Sequence, residues 1–341
     1  MKTVLVPGGG GYIGSVLVQL LLDAGHRVRV LDRFFFRTEM FADLQHRDGL
    51  TLIKEDSRYA GPAVFEGVDV VMDVAGISND PSCDLDPGIT EQVNVFGAHH
   101  LASRAKEAGV RRYLYSSSCS VYGEGRSDAL TEESPVAPVS LYAKSKLEAE
   151  ADLLRLHDEN FTVTILRNAT VYGLSRRMRF DLVINLMTLT AYKNRRIHVM
   201  GGGKQWRPVL HVGDVARAFV LIMESSAEKV GGEIFNVGAN DQNYQIYQIA
   251  QMVRDVVPHT EVDVVPDDPD KRTYRVDFSK IARRLDFKVA TTPYEGIVEV
   301  KQALERGKIE DTVSTKTVQY YRYLLEAEQL FREVSYNGRI F

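Results

Sequence analysis

The sequence predicts an α/β protein: a doubly wound parallel sheet with a smaller, discontinuous lobe. Three observations lead there. Short apolar runs alternate with helix-length amphipathic segments from the first residues onward, the pattern that forces parallel strands joined by helical crossovers. The first of these runs leads straight into Gly8-Gly9-Gly10-Gly11 and then a helix. Beyond Tyr172 the composition becomes mixed, which marks a second region.

Strands are expected over 3–6, 27–31, 50–54, 68–73, 112–116 and 162–167, each apolar and β-branched enough to be buried on both faces. Helices fill the intervals. One over 14–24 stops at Gly25, one over 93–108 stops at Gly109, and one over 140–157 follows Pro135 and Pro138. Further on, 209–225 reads as a helix and 234–237 as a strand, both returning to the larger domain, whereas 244–256 and 279–285 read as helices of the smaller lobe. The division expected is 1–172, with returns near 209–240, for the larger domain, and 173–208 with 241–341 for the smaller lobe and C-terminal helices. The tail over 312–334 is strongly helical and carries Tyr320, Tyr321, Tyr323 and Phe331. It reads as a helix packed on its own subunit, with a subunit contact as the alternative.

Composition narrows the partners. A chain of 341 residues, 44% of them hydrophobic, can bury a large core. Its formal net charge of -4 gives no global reason to expect nucleic acid or an anionic membrane as a partner. Two cysteines, Cys83 and Cys119, make no disulfide framework and lack zinc-ligand spacing, so a reducing compartment and no metal are expected. No apolar run approaches the roughly 18 residues of a membrane span, and Met1-Lys2 meets the first strand without a leader pattern, so a cytoplasmic protein is expected.

The glycine turn specifies a ligand. Gly8, Gly11 and Gly14 fall at G-x-x-G-x-x-G spacing between strand and helix. Glycine suits a tight turn that must touch a pyrophosphate, and the helix start at Tyr12-Ile13-Gly14 offers unpaired N–H groups and a positive dipole end. The alternative is a glycine-rich turn without a ligand. Asp32 follows 18 residues after Gly14, at the end of the second strand. A carboxylate there accepts hydrogen bonds from both ribose hydroxyls and repels a 2′-phosphate, which favours NAD over NADP. Arg33 speaks for a 2′-phosphate instead. Asp56, followed by Ser57, is placed to meet the adenine amino group or to cap a short helix. The larger domain is therefore read as a Rossmann-type, NAD-binding one.

Tyr142 and Lys146 form Y-x-x-x-K on one face of a predicted helix, about 6 Å apart at Cβ. A tyrosine hydroxyl is a weak base at neutral pH, but a neighbouring ammonium and a positive nicotinamide stabilise its phenolate. The alternative is a surface pair. The run Ser116-Ser117-Ser118-Cys119-Ser120 ends the preceding strand at the carboxyl edge, where ligands bind in open α/β sheets. From there Ser118 would donate to a reacting oxygen; a serine-rich turn is the alternative.

In this order these residues resemble the extended short-chain dehydrogenases, the superfamily of UDP-galactose 4-epimerase and the sugar-nucleotide dehydratases. Further matches are Asp73-Val74-Ala75-Gly76, Asn94, the stretch from Leu166 to Gly173, and the stretch from Arg207 to Ala216. The resemblance implies an NAD site that includes Ala75, Gly76, Asn94, Ser116, Ala169, Tyr142 and Lys146, with Ser118, Tyr142 and Lys146 catalytic. It also implies a nucleotide-sugar substrate met by Ser118, Cys119, Ser120 and Thr170, with Arg207 and Arg272 on its pyrophosphate; the basic run Arg176-Arg177-Met178-Arg179, just after the sixth strand's motif, reads either as a phosphate contact, with Arg179 on the substrate, or as a solvated basic loop. A homodimer through the helices of Asn94 and Tyr142 is implied as well. Family dehydratases carry an acid pair after the active-site hydroxyl, and decarboxylases a glutamate at its second position; here Cys119 and Ser120 stand there. Pro7 replaces the usual threonine and Thr170 a frequent asparagine. The segments from Arg167 to Asn185 and from Asp268 to Arg272 look most like a branch acting on GDP-linked heptoses. The resulting expectation is an NAD-dependent nucleotide-sugar epimerase acting at C4 through a 4-keto sugar. The alternatives are a nucleotide-sugar dehydrogenase or ketoreductase and, from another class, a non-catalytic dinucleotide-binding regulator.

Overall fold

A computed structural model describes residues 1–124, 129–266 and 272–340. The larger sheet contains β1 (Thr3–Pro7), β2 (Arg27–Asp32), β3 (Leu50–Lys54), β4 (Val70–Asp73), β5 (Arg112–Ser118) and β6 (Thr162–Asn168). β7 (Thr170–Tyr172), β8 (Arg196–Val199) and β9 (Trp206–His211) follow, and β10 (Glu233–Val237) returns to the larger sheet. β11 (Asn243–Gln245) and β12 (Glu261–Val264) come last.

The helices are α1 (Tyr12–Asp23), α2 (Asp80–Cys83), α3 (Pro87–Glu91), α4 (Gly97–Glu107), α5 (Leu141–Arg155) and α6 (Val183–Asn194). They continue with α7 (Val212–Glu224), α8 (Ala227–Val230), α9 (Ile246–Val256), α10 (Ser279–Leu285), α11 (Pro293–Glu305) and α12 (Thr317–Val334).

Seven parallel strands run in the order β10-β6-β5-β4-β1-β2-β3. The winding direction reverses between β1 and β4, and the crevice outside their carboxyl ends is where such sheets bind ligands. Helices cover both faces because strands such as β6 are buried from end to end. One core packs α1 and α7 on one face through Leu17, Leu21, Phe219 and Ile222. The other packs α4 and α5 on the opposite face through Leu101, Ala105, Ala149 and Leu153. The smaller lobe joins α6, α9 and α11 through Ile184, Val253 and Ile297, beside the β8–β12 pair.

Three expectations are corrected. The stretch expected as a helix over 209–225 begins as the end of β9, because Val209, Leu210 and His211 pair with β7; α7 starts only where His211 Nδ1 accepts the Gly213 N–H at 3.2 Å. The helix expected over 93–108 is interrupted by a π turn over Gln92–Phe96. There the Asn94 side chain leaves the helix path to bond both Ile77 backbone groups. α10, expected in the smaller lobe, places Ile281 and Leu285 in the core of the large sheet beside Phe235.

The tail helix divides in two. The start of α12 packs on its own chain, with Thr317 and Tyr320 buried. Its far half exposes Leu325, Leu330, Phe331 and Val334. Among the described residues no helix is long and apolar enough to cross a membrane.

Candidate active site

A cleft of about 1090 Å³ lies at the β1/β4 switch point and extends under the smaller lobe. It exceeds the roughly 300–1,000 Å³ of one small-molecule site, which suits two ligands side by side. Gly8, Gly11, Tyr12, Ile13 and Gly14 line it. Gly8 has φ +75°, and a Cβ on Gly14 would stand 2.3 Å from the Gly8 carbonyl oxygen. Only glycine lets the start of α1 lie this close to the loop.

Beside the glycine loop, Asp32 accepts the Gly10 N–H at 3.0 Å and the Phe34 N–H at 2.7 Å, one on each carboxylate oxygen. Burial lifts its carboxyl above the ordinary aspartate range, against those two N–H groups and the charge of Arg177. Arg33 turns to Asp56 at 3.2 Å and lies 4.6 Å over the Phe35 ring, so it is engaged elsewhere than on a 2′-phosphate. Asp56 takes the capping role and also faces the cleft. It caps the turn of Ser57 by accepting the Arg58 N–H at 3.0 Å, and both Asp56 and Ser57 line the cleft. Burial opposes the Asp56 carboxylate, but the Arg58 side chain and N–H overcome it and hold its pKa below the usual range. Asp32→Ala is expected to weaken NAD binding about tenfold or more, since a hydrogen bond to a charged group is worth about 1.5–3 kcal/mol. Titration calorimetry with NAD checks this, and unchanged affinity would remove Asp32 from the ribose site.

At the sheet's centre, Ala75, Gly76, Ser116, Ser118 and Tyr142 line the cleft. Ser118 lies within hydrogen-bonding reach of Tyr142 and accepts the Ser120 N–H at 3.1 Å. Lys146 lies beneath this surface, its Nζ donating to Ser116 O at 2.9 Å and Tyr115 Oη at 3.2 Å. It also sits directly under Gly76, where an added Cβ would be 3.5 Å from Nζ. Burial lowers the Lys146 pKa, and Asp73 partly restores it. Burial pushes the Tyr142 hydroxyl above the usual tyrosine range, with Cys83 adding to this and Arg179 opposing it.

Three residues expected at the ligands are directed elsewhere. Asn94 is 1% exposed and binds the Ile77 backbone and Ser145 Oγ, so it shapes the Gly76 loop without facing the cleft. Cys119 turns inward, its Sγ 3.2 Å from Arg167 O. Ala169 is packed in the large core. Their backbone positions match the expected motif, but the pleat and the turn after β5 aim the side chains away.

Of the residues expected at the substrate, Ser120, Thr170, Arg179, Arg207 and Arg272 line the cleft. Arg207 donates to the Arg272 carbonyl, which brings the two guanidinium-bearing segments to one rim. Arg272 pairs with Asp80 at 2.6 Å. Arg179 bonds Asp181 at 2.9 Å and Ser78 Oγ at 3.0 Å. Of the segment from Asp268 to Arg272, residues 268–271 lie outside the described residues. Ser78, Asn79, Asp80 and Ser82, with Asp181 and Tyr321, line the cleft without having been expected there, and Arg177 of the basic run lines it too. The first four follow β4 at the carboxyl edge, so topology was the available signal. Tyr321 comes from the far end of the chain and had none.

Buried polar atoms without a protein partner collect in this cleft: Asp80 Oδ1, Ser82 Oγ, Ser120 Oγ, Asn168 Oδ1 and Arg177 Nε. Such atoms are costly unless a ligand or water meets them. A polar ligand with phosphate, ribose and amide groups fits the set. The fold and this site together define a dinucleotide-dependent enzyme of the extended short-chain dehydrogenase type. The chain belongs to the NAD dependent epimerase/dehydratase family, which matches residues 4–238, and NAD is its cofactor.

The chain is 27% identical to UDP-glucuronic acid decarboxylase 1 of Xenopus tropicalis, over 95% of this chain and 73% of that protein. A dTDP-glucose 4,6-dehydratase from Streptomyces venezuelae, solved with NAD and TYD bound, superposes with a TM-score of 0.81 at 26% identity, covering 90% of this chain and 99% of that one. A UDP-glucuronic acid 4-epimerase from Bacillus cereus shares the fold, with a TM-score of 0.81 at 24% identity over 89% of this chain and 99% of that one.

Proposed function

We propose that this protein epimerises a nucleotide-activated sugar at C4 through a transient 4-keto sugar. The supporting observation is that neither of the two positions directly after Ser118 carries a carboxylate. The two positions after Ser118 are a buried thiol and a hydroxyl. Of the carboxylates lining the cleft nearby, Asp181 pairs with Arg179 and Asp80 pairs through Oδ2 with Arg272. Elimination of water needs a free acid, whereas epimerisation needs only a base at the hydroxyl and a redox partner.

Tyr142 takes the proton of the sugar hydroxyl, and Ser118 donates a hydrogen bond to the same oxygen. Lys146, held by Ser116 O, supplies positive charge from below. Bound NAD supplies the hydride acceptor and donor, together with positive charge beside Tyr142. Arg207 and Arg272 hold the substrate diphosphate while the keto sugar turns, a task suited to charge-assisted, bidentate donors. The same reading includes a homodimer formed through the helices of Asn94 and Tyr142, which a solution mass of one chain at micromolar concentration would remove.

Incubation with UDP-, GDP- and dTDP-sugars, including a GDP-heptose, tests the reading. The expected result is a changed sugar, retained NAD and no lasting absorbance at the NADH band. Stoichiometric NADH formation or consumption would instead make the protein a dehydrogenase or ketoreductase, and a 4-keto-6-deoxy product or release of carbon dioxide would replace epimerisation with dehydration or decarboxylation.

A further inference from the structure

We propose that the C-terminal helix α12 is part of the dinucleotide site: Thr317 holds Arg177 against the glycine loop so that its guanidinium meets the cofactor's pyrophosphate, and Tyr321 closes the cleft over it. This rests on the reading of the cleft as the NAD site and adds to it residues that lie outside the glycine and ribose motifs.

Arg177 is only 5% exposed, yet among the described residues it forms no ion pair. Its Nη2 donates to Thr317 Oγ1 at 2.9 Å, its guanidinium lies 3.6 Å from the Phe36 ring centroid, and its Nε has no partner. Burying a cation without an anion is expensive, and burial with Arg179 nearby pushes its pKa down to about 10. An arriving phosphate removes that penalty and accepts charge-assisted hydrogen bonds from the guanidinium.

The position fits the pyrophosphate of the cofactor. Two residues before Arg177, Ser175 Oγ donates to Tyr12 O at 2.7 Å and lies 3.0 Å from Ser15 Oγ. Tyr12 in turn donates from its hydroxyl to Gly173 O at 2.7 Å. The segment carrying Arg177 is thereby laid along the first turn of α1, whose unpaired N–H groups attract anions. Arg177 and Asp32 line the same cleft, and the positive charge of Arg177 opposes the rise that burial gives the Asp32 carboxyl.

α12 completes the enclosure. Tyr320 donates to Phe35 O at 2.8 Å and its ring lies 5.2 Å from Phe36, while Tyr321 packs at 6.1 Å from Phe35 and 6.0 Å from Phe36. Phe35 and Phe36 follow the Asp32-Arg33 pair, separated from it only by Phe34. At the helix start, the Thr317 N–H meets Asp181 Oδ2 at 3.2 Å. One helix therefore ties the ribose loop to the arginine loop, with Tyr321 lining the cleft between them. α12 lies beyond the 4–238 stretch that carries the family match.

The experiment compares wild type with Arg177→Met and Thr317→Val by calorimetric titration with NAD, with adenosine and with UDP and GDP, alongside thermal unfolding of each protein freed of NAD. Arg177→Met is expected to lose at least about tenfold in NAD affinity, with adenosine and nucleoside diphosphate binding unchanged and a melting temperature that holds or rises, because an unpaired buried charge has gone. Thr317→Val, which leaves Arg177 in place but unoriented, is expected to lose a few-fold in the same selective way, and it serves if Arg177→Met does not fold. Equal NAD affinity in wild type and variants would overturn the proposal, as would a loss confined to UDP or GDP, which would assign Arg177 to the substrate's diphosphate. A wild-type protein that binds no NAD at all would instead refute the reading of the cleft itself.

Discussion

Replacing Tyr142 by phenylalanine is expected to lower turnover of the nucleotide sugar at least about a hundredfold, the usual size of general acid–base catalysis, while NAD binding persists. The substitution removes one oxygen from a ring on α5 and leaves the glycine loop and Asp32 untouched. The pH profile carries more detail. Burial raises the Tyr142 pKa, so the chain alone keeps the hydroxyl protonated at neutral pH, and the fraction able to act as base grows as pH rises. Wild-type activity is therefore expected to climb from neutral pH into the alkaline range, and the residual activity of Tyr142→Phe is expected to lack that rise. Rates with the accepted nucleotide sugar between neutral and alkaline pH check both. A variant with near wild-type turnover would remove Tyr142 from the chemistry, and unchanged behaviour in every assay would favour a non-catalytic regulator.

The second large effect concerns stability. Glu150 sits on α5 one turn beyond Lys146, is 2% exposed, and pairs with Arg167 on β6 at 2.7 Å. Ser117 donates to the same carboxylate, and Arg167 extends the network to the Tyr122 hydroxyl at 3.1 Å, which donates to Asn236 on β10 at 2.7 Å. Burial alone would lower the Arg167 pKa, but Glu150 outweighs it and raises it. Glu150→Ala strands this cation among buried groups and is expected to cost about 3–5 kcal/mol. Replacing both partners, as Glu150→Met with Arg167→Met, is expected to recover much of that loss, because no charge is left unpaired. Urea unfolding monitored by fluorescence and circular dichroism distinguishes the cases. A loss below about 1 kcal/mol for Glu150→Ala would show that the pair contributes little to holding the catalytic helix on its sheet.

The parts legible in advance share a physical property: their information is local. β1, the glycine turn and α1 are adjacent in the chain, and Gly8, Gly11, Gly14 and Asp32 are spaced by one turn and one crossover. Tyr142 and Lys146 share a helix by periodicity alone, and Ser118 ends β5 at its carboxyl end as expected. What was misread depended on partners distant in sequence. The end of β9 looked helical until β7 paired with it, and α10 is assigned to the large sheet only by its contact with β10. Asn94, Cys119 and Ala169 sit at the expected motif positions, yet a π turn, a tight turn and a pleat direct their side chains elsewhere.

The sequence by itself determined the doubly wound sheet, the glycine turn into α1, the place of Asp32 at the end of β2 and the spacing of the tyrosine–lysine pair, because short-range spacing and hydrophobic period specify each of them. Only the tertiary structure decided which charges meet in the cleft. Asp80 reaches Arg272 from 192 positions away and Thr317 reaches Arg177 across 140. Such encounters are set by how sheet, smaller lobe and α12 pack, since no local pattern encodes the partner of a side chain that far along the chain.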